Sequence, residues 1–133
     1  MPGKKLLVVD DDQVVLNSCK VVLEAEGFQV NLVSSAREAI TFLEDRYVDL
    51  MIMDVKMPEK DGLYILDVIR EKWPLDRWPE LPVLVMSGYP TPDTINDLIK
   101  RGVREFISKP FTPDELIESV HKALLKKEKK EKK

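Results

Sequence analysis

The strongest constraint on this chain is an alternation. Short apolar runs at residues 6–9, 28–33, 50–53, 83–86 and 106–107 are separated by longer segments whose apolar residues recur at helical spacing. Three of the runs are nearly unbroken, as expected of parallel strands covered on both faces. The helical stripes are Val15, Cys19, Val22 and Leu23; Ala36, Ala39, Ile40 and Leu43; Leu66, Ile69 and Trp73; Ile95, Leu98 and Ile99; and Leu116, Ile117, Val120 and Leu124. Strands alternating with helices of this length imply βαβ units, hence a parallel sheet with helices on both faces. The expectation is an α/β three-layer sandwich with a five-stranded parallel sheet and five helices.

Boundary residues divide the chain in the same way. Ser35 with Glu38 and Thr112 with Glu115 match the capping box, and Pro113 suits a first helical position. Thr91-Pro92-Asp93 opens the fourth helix similarly. Gly27 and Gly102 are placed to end helices in the left-handed conformation. No second domain or longer repeat is visible, and 133 residues can bury roughly two-thirds of their extended surface without disulfide or structural metal.

A hydrophobic fraction of 44% and a charged fraction of 34% suit a soluble globular protein and exclude disorder except at an end. Cys19 is alone, so it forms no internal disulfide, which fits a reducing cytoplasm. No apolar run approaches the ~20 residues that span a bilayer. The opening Met-Pro-Gly-Lys-Lys-Leu-Leu-Val-Val-Asp is too short in apolar length for a signal peptide. A cytoplasmic chain with no membrane partner is expected.

Charge is unevenly spread. Residues 122–133 carry seven Lys and two Glu, leaving 14 basic and 22 acidic residues in the rest. An acidic body argues against direct nucleic-acid binding, which depends on cationic contacts to phosphate. The basic end reads as a solvated terminus or the start of a linker, with a basic arm for an acidic partner as the other reading.

In open parallel sheets, ligands bind beyond the carboxyl ends of the strands, where the strand order reverses. The first run is followed there by Asp10-Asp11-Asp12, the third by Asp54, the fourth by Ser87 and the fifth by Lys109-Pro110. So many carboxylates at one edge repel unless a cation compensates. Lys109 is one such cation, and the cluster also suits a hard divalent ion such as magnesium, which prefers oxygen ligands. Singly, each residue has a plainer reading. Asp12 suits a helix N-cap, Asp54 a turn, Ser87 a cap or turn hydroxyl, and Lys109 the surface. Their joint placement at strand ends is what points to chemistry.

Val8-Val9-Asp10-Asp11, Asp54-Val55-Lys56-Met57-Pro58 with Asp61-Gly62, Met86-Ser87-Gly88, and Phe106-Ile107-Ser108-Lys109-Pro110-Phe111 together resemble the receiver domain of bacterial response regulators. The resemblance covers about residues 4–126. It implies a flavodoxin-like strand order 2-1-3-4-5, a receiver domain over 1–126, and a charged tail or linker start over 127–133. It also implies that Asp54 accepts a phosphoryl group from a sensor histidine kinase. Magnesium, or manganese, would be held by Asp11, Asp54 and the main-chain carbonyl of Lys56, with Asp10 acting through a water. Lys109 and Ser87 would bind phosphoryl oxygens. Phe106 would follow Ser87 in a switch of the fourth helix, fifth strand and fifth helix, the face that meets a downstream effector or output domain or forms a homodimer. The Lys109–Pro110 bond would be cis.

Some positions depart from that pattern. Phe106 stands where the family often has tyrosine, and Lys56 and Tyr89 occupy positions that in that family flank the path of the attacking water. Residues 73–82 form a long proline-rich link, read as a rigid loop with locally packed tryptophans or as a docking edge. Rival functions fare less well. A flavin carrier on this fold would place phosphate against Asp10-Asp11-Asp12, which would repel it. An aspartyl-phosphate phosphohydrolase usually has a second aspartate two residues past its nucleophile, where this chain has Lys56. An interaction module that never takes phosphate would not need the complete set Asp10, Asp11, Asp54, Ser87 and Lys109.

Overall fold

The structure, a computed structural model, describes residues 3–57, 61–72, 81–88 and 90–131, with side chains as far as residue 125. Pro58, Tyr89 and residues 73–80, most of the proline-rich link, lie outside the described residues. Five strands alternate with five helices: β1 (Lys5–Val9), α1 (Gln13–Ala25), β2 (Gln29–Val33), α2 (Ala36–Asp45), β3 (Leu50–Asp54), α3 (Gly62–Lys72), β4 (Val83–Ser87), α4 (Pro92–Lys100), β5 (Glu105–Ser108) and α5 (Pro113–Glu131). The strands pair in parallel in the order β2-β1-β3-β4-β5, the expected sheet.

Alternation along each strand makes the three layers. Leu6, Val8, Leu50, Ile52, Leu84 and Met86 face one side and pack with Leu16, Cys19 and Leu23 of α1 and Leu116, Val120 and Leu124 of α5. Leu7, Val9, Met51, Met53 and Val85 face the other, against α2, α3 and α4. Because successive side chains point to opposite faces, continuous apolar strands cover both helical layers at once. Each fully buried Leu or Ile contributes about 1.5–3 kcal/mol over its exposed state.

The helix boundaries form as their residues require. Thr112 and Glu115 make the full reciprocal box, with bonds of 3.0 and 3.1 Å. Ser35 accepts from the Glu38 amide at 3.1 Å, but Glu38 returns its bond to Ser34, one residue earlier than a capping box predicts. Gly27 and Gly102 adopt φ of 94° and 96°, ending α1 and α4.

Two features of the stripes differ. Ile99, expected to be apolar and inward, is 41% exposed, and Leu98 is the buried residue of α4. Successive residues of a helix point about 100° apart, so Leu98 faces the core and its neighbour Ile99 turns away from it. In α3, Ile65 is buried beside Leu66 and Ile69. Helix α5 runs to Glu131, across the boundary expected at residue 126. Among the described residues no helix is long and apolar enough to cross a membrane.

Candidate functional site

Strand order reverses at β1, which lies between β2 and β3, and the carboxyl ends there carry the acidic residues. Beyond Val9 the chain holds its strand course for one more residue, the Asp10 amide donating to the Val33 carbonyl at 3.2 Å. That extension takes Asp10 inside. It is 0% exposed, the buried charged residue among those described. Burying a carboxylate is costly unless its oxygens find donors. One oxygen, Oδ1, accepts the Asp12 amide at 2.9 Å, and Oδ2 accepts the Lys109 ammonium at 2.7 Å.

Asp54 closes β3 and is half-buried. Its Oδ1 accepts the Lys56 amide at 3.1 Å, and its Oδ2 accepts Lys109 Nζ at 2.7 Å. Lys109 therefore bridges two carboxylates from different strands. Burial alone would push its pKa down. The hydrogen bonds and charges of Asp10 and Asp54 overturn that and hold the ammonium above the ordinary lysine value. The Lys109 amide donates to the Ser87 carbonyl at 2.9 Å, tying the ends of β4 and β5, and the Lys109–Pro110 peptide is cis.

Asp11 is exposed and completes the cluster. One oxygen each from Asp10, Asp11 and Asp54 lie within 4.8 Å of one another. Three carboxylates against one ammonium leave a formal charge of −2, and hard oxygen donors so grouped fit magnesium or manganese. Asp12 stands apart. Its side chain accepts the Val14 amide at 2.9 Å and caps α1, the plainer of its two readings.

The field of the site reaches below it. The Cys19 thiol is pushed up to about 11, mainly by burial and then by the charge of Asp10, against a smaller opposite effect of Lys109. On the far side, Asp54 pairs in register with Met86, so Ser87 stands one residue further out on the adjoining strand. Ser87 and Phe106 line a pocket of about 60 Å³ together with Val55, Thr94, Ile95 and Leu98. Phe106, on the edge strand, is 36% exposed.

Thus Asp10, Asp11, Asp54 and Lys109 come together as one cluster, with Ser87 and Phe106 beside it. Lys56 follows Asp54 as an exposed residue whose amide is already used. Sequence reasoning made Lys109 a compensating cation for the cluster without naming Asp10 and Asp54 as its two equal partners. Nothing local distinguishes Asp10 from Asp11; only the extra strand residue buries one of them. It also missed the closeness of Gly62 to the Asp54 peptide, for which the Asp61-Gly62 pair was the available signal.

A five-stranded 2-1-3-4-5 sheet thus carries a carboxylate cluster and a lysine at its carboxyl edge. The family model for the response regulator receiver domain matches residues 6–121, and the chain belongs to that family. It acts in two-component signalling as a phosphoacceptor domain. Its relatives include an NtrX-like response regulator of Rickettsia bellii, 34% identical over 114 residues that make up 84% of this chain and 23% of the relative. ZraR, a transcriptional regulatory protein of Escherichia coli K12, is 34% identical over 119 residues, 90% of this chain and 26% of that protein. The chain thus spans about a quarter of the length of these relatives. Among solved structures, a CheY-like receiver domain protein of Methanospirillum hungatei superposes with a TM-score of 0.86 at 28% identity, covering 96% of this chain and 98% of that one. NtrX of Brucella abortus, solved with ADP, gives a TM-score of 0.86 at 32% identity, covering 98% of this chain and 29% of that one.

Proposed function

We propose that Asp54 is the phosphoacceptor, taking a phosphoryl group from a sensor histidine kinase. The observation that carries this is Lys109, held at 2.7 Å from both Asp10 and Asp54 beside the exposed Asp11. An Asp54 oxygen attacks phosphorus, an acyl phosphate bond forms, and the bond to the donor nitrogen breaks with its electron pair leaving on the imidazole. Bound magnesium or manganese would neutralise charge on the transferring group, held by Asp11, Asp54 and the Lys56 carbonyl, with Asp10 acting through a water. Lys109 then turns from the Asp54 carboxylate to a phosphoryl oxygen. The Ser87 hydroxyl donates to another, and Phe106 enters the pocket it shares with Ser87.

That movement switches the face built from α4, β5 and α5 for a downstream effector or output domain, or for a second copy of the chain. The chain serves as a switch, not as an enzyme turning over separate molecules, because Lys56 occupies the place an acid–base aspartate would take. Residues 1–126 form the receiver unit and 127–133 a tail or the start of a linker. The setting is the cytoplasm, and the acidic body makes no direct contact with nucleic acid.

Acetyl phosphate with magnesium, followed by intact-mass measurement, tests the assignment. The expected result is one labile adduct that maps to Asp54 and is missing from Asp54→Asn. Magnesium titration should show saturation that Asp11→Ala abolishes. An adduct that survives in Asp54→Asn refutes the assignment.

A further inference from the structure

We infer that Gly62 is a positioning residue for the phosphoacceptor, because α3 abuts the Asp54 peptide through a space only glycine leaves. This rests on Asp54 being the acceptor. Residues 55–61 connect β3 to α3, and their base is closed by the Gly62 amide, which donates to the Val55 carbonyl at 2.9 Å. Gly62 is the first residue of α3 and is buried. Asp61 before it accepts the Tyr64 amide at 3.1 Å, so the helix starts firmly at this point.

A Cβ at position 62 would stand 2.9 Å from Met53 Cε, 3.0 Å from the Asp54 carbonyl oxygen and 3.2 Å from Val55 Cα. The Met53 contact is closer than side-chain carbons come, and the other two require the neighbour to give by a few tenths of an ångström. The glycines at 3, 88 and 102 have no heavy atom within 4 Å of that position. Gly62 is set apart from them by what it touches.

The three contacts are of two kinds. Met53 Cε ends a flexible side chain and can swing away. The Asp54 carbonyl cannot, because β3 is paired on both sides, with Met53 beside Val9 and Val85 and Asp54 beside Met86. A side chain at 62 must therefore lift the start of α3 or turn the Asp54–Val55 peptide. Turning that peptide shifts the carboxylate against Lys109 Nζ at 2.7 Å and the Lys56 amide at 3.1 Å. A bare helix start behind the acceptor thus fixes where its oxygens point. Sites of this kind need positioning to within about 0.5 Å.

The two kinds of contact can be separated by experiment. Met53→Leu removes Cε at nearly constant volume and should phosphorylate like the parent chain. Gly62→Ala combined with Met53→Leu relieves the side-chain clash and keeps the carbonyl clash. Urea unfolding of this double variant should approach that of Met53→Leu. Its rate of adduct formation with acetyl phosphate should fall by roughly 3- to 5-fold, since a misplacement of about 1 Å can cost 10²-fold and the carbonyl contact demands a few tenths of that. Its magnesium affinity should fall as well. A double variant that phosphorylates as fast as Met53→Leu alone overturns the inference.

Should the double variant not fold, amide exchange in the unaltered chain decides. Exchange of the Gly62 amide as slow as that of Ile52 and Met53 supports a fixed abutment, and exchange at the pace of exposed loop amides refutes it. If the unaltered chain forms no adduct on Asp54, the phosphoacceptor reading fails and this inference with it. A parental adduct with an equally fast double variant removes the positioning role alone.

Discussion

Replacing Lys109 by methionine should destabilise the chain by about 3 kcal/mol at pH 7. The change keeps much of the side-chain volume and removes the ammonium from two hydrogen bonds of 2.7 Å. A bond to a charged group contributes about 1.5–3 kcal/mol, and removing one partner of a buried ion pair costs about 3–5 kcal/mol. The Lys109 side chain is 21% exposed, which favours the low end, while Asp10 is 0% exposed and loses its countercharge entirely. Domains of this size hold about 5–15 kcal/mol, so the variant should stay folded. Its urea midpoint should drop by roughly 1–3 M for a slope of ~1–3 kcal/mol per molar.

The pH dependence carries a definite sign. In the parent chain the Lys109 pKa is raised. Its contribution is therefore complete below the ordinary value of 10.5 and is lost only as pH climbs through the higher folded value. In the variant two facing carboxylates lack a cation and repel each other. Magnesium should restore part of the lost stability by binding the folded state. Urea melts followed by circular dichroism at several pH values make the comparison. A loss below about 1 kcal/mol at pH 7 would refute the view that Lys109 compensates the cluster.

Arg101 grips Asp67 through two bonds of 2.8 and 3.2 Å and joins α4 to α3, but the Asp67 side chain is 47% exposed. Asp67→Asn should therefore cost only about 0.2–1 kcal/mol. The Arg101 hydrogen bond lowers the Asp67 pKa, so the contribution is present above the ordinary 3.8 and vanishes as pH drops through the lowered value; melts of parent and variant that stay apart in strong acid would contradict this. Cys19, buried with its thiol raised to about 11, should resist iodoacetamide at pH 8 in the folded chain and react once urea unfolds it, as mass measurement would reveal. Ser87→Ala should still phosphorylate yet lose most amide shifts over residues 95–99 and at Phe106 on adding beryllofluoride, and identical shifts in both proteins would mean the hydroxyl is not the relay.

Local chemistry was readable from the residues in order. Five apolar runs marked five strands, because a strand buried on both faces has no polar positions to spare. Thr91, Ser35 and Thr112 marked helix starts because their hydroxyls reach amides only three residues on. Gly27 and Gly102 marked ends because left-handed backbone suits a residue without Cβ. The candidate site was readable as a set of strand ends, Asp10, Asp11, Asp54, Ser87 and Lys109. The strand order came from family resemblance, since periodicity carries no information about which strands are neighbours. Three features were decided by tertiary structure alone. Lys109 reaches Asp10 across 99 positions and Asp54 across 55, and only sheet register brings those ends within 2.7 Å. Leu98 is buried and its neighbour Ile99 exposed, because the docking of α4 decides which of two successive residues faces the core. Gly62 lies against the Asp54 carbonyl because of how α3 is docked, and a contact between backbones leaves no mark on the pattern of side chains.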